Sequence, residues 1–246
     1  MRSDKSNANR ARGTSEFDRH AEEKYYEKIR KNYPPALEIE RKIFSFLSRA
    51  KPRVVLDAGC GEGHFIKWAA KKLPGAKFIG VDFSKGMCTR ARENTANLKN
   101  VKIINADITR MPINSGSVDF VVSFDVYEHL PLEKRRGFFA EIHRVLKPRG
   151  CGALTTPNKF SWNVFLHPRT FLKVFFDEHG SESEWSHWES GTGIREKMAA
   201  AGLRVLRCET YPLLEPNVRE RRIAWLLKLL SGSRFGVKQI FFYEKK

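Results

Sequence analysis

The chain has 246 residues and a net charge of +17, and 41% of it is hydrophobic, enough to bury a core and to exclude disorder throughout. That length fits one large α/β domain or two small ones, and no apolar run reaches the roughly 20 residues that span a bilayer. The first residues lack the apolar stretch of a secretory signal, and Cys60, Cys88, Cys151 and Cys208 form no Cys-x-x-Cys pair, so neither a disulfide framework nor a zinc site is expected and a reducing cytoplasm is the default.

Residues 1–16 are polar and basic and read as a disordered arm. Helical spacing starts near Phe17 and runs through Ala21, Tyr25 and Ile29. Pro34-Pro35 ends it, and Ala36, Ile39, Ile43, Phe46 and Leu47 form a second apolar stripe. Val54-Val55-Leu56 then opens a different pattern, ending in Asp57 and a glycine cluster. A helix is predicted over Phe65–Leu73, a strand over Lys77–Val81, a helix over Gly86–Asn97 and a strand over Val101–Asn105. A strand over Val118–Phe124, a helix over Leu132–Leu146 and a strand over Gly152–Thr156 follow. Strands alternating with helices predict a parallel sheet covered on both faces. Right-handed crossovers gather its strand C-termini on one edge, where ligands bind. Pro157–Gly191 holds eight aromatics, Trp162, Phe165, Trp185 and Trp188 among them, and reads as an insertion over that edge. A helix over Thr192–Ala201, a strand over Leu203–Tyr211, a basic amphipathic helix over Val218–Leu230 and a strand over Val237–Tyr243 close the chain. The expected organisation after the arm is one domain over 17–246: helices (17–53), an alternating core (54–156), the aromatic insertion (157–191) and closing strands with the basic helix (192–246).

The sharpest signal is Leu56-Asp57-Ala58-Gly59-Cys60-Gly61-Glu62-Gly63. Glycines between a first strand and a first helix let a ligand touch backbone. The dinucleotide version, GxGxxG, wraps a pyrophosphate. Here the spacing is GxGxG, and the Asp57 carboxylate before it repels phosphate but suits a cation. The second strand ends at Asp82, 19 residues after Gly63, where an acid accepts hydrogen bonds from ribose hydroxyls. A nucleoside with a positive group and no phosphate fits, and S-adenosyl-L-methionine is such a molecule.

At these residues the sequence resembles the class I S-adenosylmethionine-dependent methyltransferases. Five segments match in order: LDAGCGEG (56–63), GVDFSKGM (80–87), NADITRMP (105–112), SVDFVVSFDVYEHL (117–130) and EIHRVLKPRG (141–150). One departure is Arg149, where the family usually has glycine. The resemblance implies a Rossmann-like α/β fold with a seven-stranded sheet, helices on both faces and the last strand antiparallel. It implies S-adenosyl-L-methionine as cofactor. Carried over by position, Asp57 and the backbone of Gly59, Cys60 and Gly61 would hold the methionine portion, Asp82 the ribose, and Phe83 the adenine face. Asp107, with Ile108 beside it, would accept from the adenine amino group, and Ser123 and Phe124 would line the methionine carboxylate and ammonium. Cys60 itself reads as a small buried filler.

The acceptor side begins at Asp125-Val126-Tyr127-Glu128-His129-Leu130. Histidine exchanges protons near neutral pH, so His129 is the candidate base if the acceptor is a hydroxyl, with Glu128 and Tyr127 beside it. Alternatively the Glu-His pair holds the loop and Tyr127 packs. The same stretch resembles the carboxylate–carboxylate–His cluster of metal-dependent members. Asp125 replaces a glutamate of that pattern and a further ligand such as His167 or His187 would be required, so no metal is expected.

The charge is concentrated at the ends: residues 1–53 and 202–246 each carry +6, and the 148 residues between them +5. Basic flanks either keep the protein in solution or attract polyanions. The helix over 218–230 either packs on the sheet edge or lies on an anionic membrane surface. The reading is therefore a methyltransferase for a small-molecule or lipid-like acceptor, at oxygen in preference to carbon or nitrogen, cytoplasmic with peripheral membrane contact as a variant. A nucleic-acid methyltransferase is the alternative; no RNA-binding signature accompanies the charge. A non-catalytic cofactor-binding adaptor is the third reading.

Overall fold

The computed structural model describes residues 38–160, 189–211 and 238–246. The expected basic arm, the helix from Phe17, most of the aromatic insertion and the helix over 218–230 lie outside the described residues. The chain divides into two units, Met1–Arg41 and Lys42–Lys246; the fold below is that of the second.

Five apolar strands alternate with helices in chain order: β1 (Val54–Ala58), β2 (Lys77–Asp82), β3 (Val101–Asn105), β4 (Val118–Phe124) and β5 (Leu146–Pro157). Helix α1 (Glu38–Ala50) precedes them, and α2 (His64–Lys72), α3 (Lys85–Thr95) and α4 (Arg135–Val145) are the crossovers. Then come α5 (Gly191–Ala200), β6 (Leu203–Tyr211) and β7 (Lys238–Lys245). The sheet has the order β3-β2-β1-β4-β5-β7-β6. β1 to β5 pair in parallel, and β7 runs antiparallel to both β5 and β6. This is the expected architecture: the last strand is the antiparallel one.

The central strands β1 and β4 are rich in apolar residues because both of their faces are covered. Phe120, Val121 and Val122 of β4 are fully buried. On one face, Phe46 of α1 meets the ring of Phe120 at 5.7 Å and that of Phe242 at 5.0 Å. On the other, Phe138 and Phe139 of α4 pack with Tyr127, ring centroids 5.1–6.2 Å apart. At the opposite edge from the ligand side, Asp119 accepts from the amides of Arg53 and Val54 at 3.0 and 2.8 Å and from Lys147 at 2.7 Å, tying the start of β1 to β4 and β5. Lys245 donates to the carbonyls of His143 and Leu146, a cation on the free carbonyls at the end of α4.

Two boundaries differ from expectation by three residues or more, the others by no more than two. The fifth strand begins at Leu146, not Gly152, with its register against β4 interrupted after Val118↔Leu146 and resumed at Phe120↔Cys151. Lys147–Gly150 make this detour, and Arg149 stands at φ +61°, in the left-handed region that favours glycine. That is the physical reason for the family's usual glycine there. The fourth helix starts at Arg135, after a separate single turn over Leu132–Lys134 that follows Pro131.

Replacing Phe120 by alanine removes a fully buried ring packed against Phe46 of α1 and is expected to cost about 3–5 kcal/mol. Leu206→Ala, at an exposed position on β6, should stay within about 0.5 kcal/mol of the parent. Urea denaturation midpoints of the two variants measure the contrast.

Candidate active site

β1, β2, β3 and β4 deliver Ala58, Asp82, Asn105 and Phe124 to the same edge of the sheet. The glycine turn folds back over the end of β2: the amides of Gly59 and Cys60 donate to the carbonyl of Val81 at 2.8 and 3.0 Å. Gly59 has φ +85°, and a Cβ there would lie 2.3 Å from a methyl of Val126. Gly61 has φ +51°, and a Cβ there would meet nothing within 4 Å. The first glycine is thus required by packing within the chain. At the second, only the backbone angle asks for glycine from inside the protein.

Asp82 is buried. Its two carboxylate oxygens accept one amide each, Gly61 from the turn and Ser84 from the start of α3, both at 2.9 Å. Ser84 in turn caps α3 by accepting from the amide of Met87. Burial pushes the Asp82 carboxyl up, and the amides of Ser84 and Gly61 hold it partly down. Asn105 donates to the carbonyls of Asp82 and Phe83, fixing the end of β3 to the same turn. Phe83 is 73% exposed, an unusual state for such a ring. Asp57 is buried on β1, between Gly80 of β2 and Val122 of β4.

Asp107 follows β3 and is half-exposed. One of its oxygens accepts from the amide and hydroxyl of Thr109, both at 2.8 Å, and the other pairs with Lys134 at 3.0 Å. Burial raises this carboxyl, but the Thr109 bonds and the Lys134 charge outweigh it and hold it below the usual range. Ile108 beside it is buried. Ser123 is fully buried, and its hydroxyl donates to the carbonyl of Ala58 at 2.8 Å, so its side chain joins β4 to β1 and only its backbone faces the edge. Phe124 packs on Phe65 at 4.8 Å. The Cys60 thiol is pushed far up by burial and then by Asp57 and Asp82, which keeps it neutral.

Beyond β4 the chain turns sharply. Asp125 has φ +52°, and its amide donates to the carbonyl and hydroxyl oxygens of Thr155. Its carboxylate accepts from the Thr155 hydroxyl at 3.1 Å and pairs with Lys238. Tyr127, Glu128 and His129 form one 3-10 turn but separate by environment. Glu128 is buried and accepts from the Thr156 hydroxyl at 3.2 Å. Burial first, and the Asp125 charge second, push its carboxyl up to about 8. His129 is exposed. Tyr127 is fully buried, and its hydroxyl donates to Glu189 at 2.6 Å; burial and Glu189 drive the phenol pKa far up.

Sequence reasoning missed two clusters. Glu62, inside the glycine turn, is buried and pairs with Arg90 at 2.9 Å and His64 at 3.2 Å, while its carbonyl accepts from Asn94. An acid in a glycine turn followed by a basic helix was the available signal. The second cluster joins Arg135, Glu189 and Lys197. Among the described residues no group of His, Cys, Asp or Glu is arranged to hold a metal ion; His167 and His187 lie outside them. No helix of the described residues is long and apolar enough to cross a membrane.

Residues 55–150 match the family model of a methyltransferase domain. The malonyl-[acyl-carrier protein] O-methyltransferase of Legionella pneumophila is 33% identical over 171 residues, covering 64% of this chain and 57% of that protein. The demethylmenaquinone methyltransferase of Staphylococcus aureus is 30% identical over 158 residues, covering 59% and 63%. Among solved structures, a putative sarcosine dimethylglycine methyltransferase from Galdieria sulphuraria superposes with a TM-score of 0.62 at 21% identity, over 85% of each chain. Over residues 55–150 the chain is thus similar to a methyltransferase domain, and its fold is shared with that solved structure. The chain spans little more than half the length of the first of these relatives.

The two glycines should separate. Gly59→Ala combines a strained φ with the Val126 contact and is expected to destabilise the fold by about 1–3 kcal/mol. Gly61→Ala should cost less stability yet weaken S-adenosylhomocysteine binding at least tenfold, as read by calorimetry beside thermal melting. Glu128 yields a pH test. Its folded pKa lies above the ordinary 4.5, so the folded state keeps a proton that the unfolded state gives up. Stability should fall with rising pH between about 4.5 and 8, at up to about 1.4 kcal/mol per pH unit. Glu128→Gln should flatten that slope in urea titrations at pH 5, 7 and 9.

Proposed function

We propose that the chain is an S-adenosyl-L-methionine-dependent methyltransferase acting on a small-molecule or lipid-like acceptor, at oxygen. The observation that carries this reading is the Asp82 carboxylate: it joins the glycine turn to the start of α3 through two amides, and a carboxylate has about four acceptor sites. Two remain for a pair of ribose hydroxyls. The open position at Gly61, the exposed ring of Phe83 and the buried Asp57 are further features that suit the cofactor.

The cofactor supplies a methyl group on a cationic sulfonium whose leaving thioether is neutral. The protein then has no leaving anion to stabilise, and positioning supplies much of the rate. Asp57 and the backbone of Gly59, Cys60 and Gly61 hold the methionine portion, with the backbone of Ser123 and the ring of Phe124 beside it. Asp82 binds the ribose, Phe83 covers the adenine, and Asp107 with Ile108 borders it. On the acceptor side His129 is the exposed group that takes a hydroxyl proton. Glu128, its carboxyl held protonated at neutral pH by burial and Asp125, places no second negative charge beside that proton. Tyr127 supports the turn through Glu189 and belongs to the packing in this reading.

Oxygen as the methylated atom is supported by the similarity to the O-methyltransferase of Legionella pneumophila, and a lipid-like acceptor by that to the demethylmenaquinone methyltransferase of Staphylococcus aureus. The helix over 218–230 as an anionic membrane contact is part of the same proposal. Asp82→Ala should remove S-adenosyl-L-methionine binding in calorimetry; unchanged affinity would sink the site assignment. Tritium transfer from methyl-labelled cofactor into fractionated extract should appear in lipids or small molecules. Label in RNA or DNA establishes the nucleic-acid alternative, and an absence of transfer to every fraction establishes the adaptor.

A further inference from the structure

Arg135 is the largest fully buried side chain among the described residues, at 1% exposure. A buried guanidinium is costly unless its donors are matched, and here they converge on one short turn. Its Nε donates to the carbonyl of Leu130 at 3.2 Å and its Nη2 to the carbonyl of Glu128 at 3.3 Å. Those carbonyls flank His129 on both sides. Its Nη1 donates to Glu189 Oε2 at 3.1 Å, and its plane lies 4.6 Å from the centroid of the Tyr127 ring.

Glu189 is the countercharge. It also accepts from the Tyr127 hydroxyl at 2.6 Å and pairs with Lys197 of α5. Burial raises the Glu189 carboxyl, but Lys197, Tyr127 and Arg135 together hold it below the usual range, so it stays ionised opposite Arg135. The turn itself is thin: its internal backbone bonds are His129 to Val126 at 3.0 Å and Leu130 to Tyr127 at 3.2 Å. Arg135, which begins α4, adds to these a grip on the peptide that enters His129, through the Glu128 carbonyl, and on the peptide that leaves Leu130.

We propose that Arg135 is the positioning residue for His129, acting through the Glu128 and Leu130 carbonyls, and that Glu189 links this turn to the start of α5. The proposal rests on the reading of His129 as the acceptor-side base only for its consequence on methyl transfer; the geometry of the turn stands apart from it. Lysine cannot reproduce the fork: it keeps the charge opposite Glu189 but is a single point donor. A purely electrostatic role would tolerate Arg135→Lys, and a positioning role would not.

The test uses the full chain labelled with 15N-histidine, read by long-range 1H–15N correlation with and without S-adenosylhomocysteine. In Arg135→Lys the His129 ring signals should shift or broaden while those of His64 and His143 stay in place, and S-adenosylhomocysteine affinity should stay within about twofold of the parent. Glu189→Gln, which removes the countercharge but keeps the shape, should move the same His129 signals in the same direction. With an acceptor in hand, kcat should drop roughly 10–100-fold with little change in KM for the cofactor. His129 signals unchanged in both variants overturn the proposal, and so does a uniform shift of all histidines in folded Arg135→Lys. If His129 moves as expected but His129→Ala transfers methyl at the parent rate, the base assignment fails and the positioning role stands.

Discussion

One buried carboxylate organises the ligand edge of this sheet. Asp82 sits at the end of β2 with one amide on each oxygen, Gly61 from one loop and Ser84 from the next. Charge-assisted bonds of this kind are about twice as strong as neutral ones and offset part of the cost of burying the charge. The β1 turn, the N-terminus of α3 and, through Asn105, the end of β3 all meet at this residue. A neutral or longer side chain would leave two loops without a common anchor, and the backbone surface they form would not hold its shape.

The two halves of the edge are built differently. Around the glycine turn the ordering groups are largely main chain: positive-φ glycines, amides aimed at Asp82, and amides tied back to the carbonyl of Val81. On the acceptor side the ordering groups are charged side chains. Asp125 pairs with Lys238, Glu128 accepts from Thr156, and Arg135 bridges the Glu128–Leu130 turn to Glu189. Backbone geometry suits a ligand shared across a superfamily.

That division explains what could be read from sequence. The strands over Val101–Asn105, Val118–Phe124 and Leu203–Tyr211 were legible to the residue, because apolar runs bounded by turn residues carry their own signal. The glycine turn and Asp82 were legible because they are local. The start of β5 was not: Lys147-Pro148-Arg149-Gly150 reads as a plain turn, and only pairing with β4 continues the strand through it. The partnership of Arg135 with Glu189, 54 residues away, leaves no local pattern; an arginine opening a helix looks like a solvated one. The bond from the Ser123 hydroxyl to the carbonyl of Ala58 is likewise a cross-strand choice invisible along the chain.

The edge around Asp82 should recognise an adenosine that carries an amino-acid arm and no phosphate. Titrating S-adenosylhomocysteine and NAD separately into the intact chain by calorimetry tests it most directly, since both carry adenosine and only one carries a pyrophosphate. The account predicts saturable one-site binding of S-adenosylhomocysteine and no measurable heat of binding with NAD. NAD binding as tightly, or S-adenosylhomocysteine failing to bind, would contradict it.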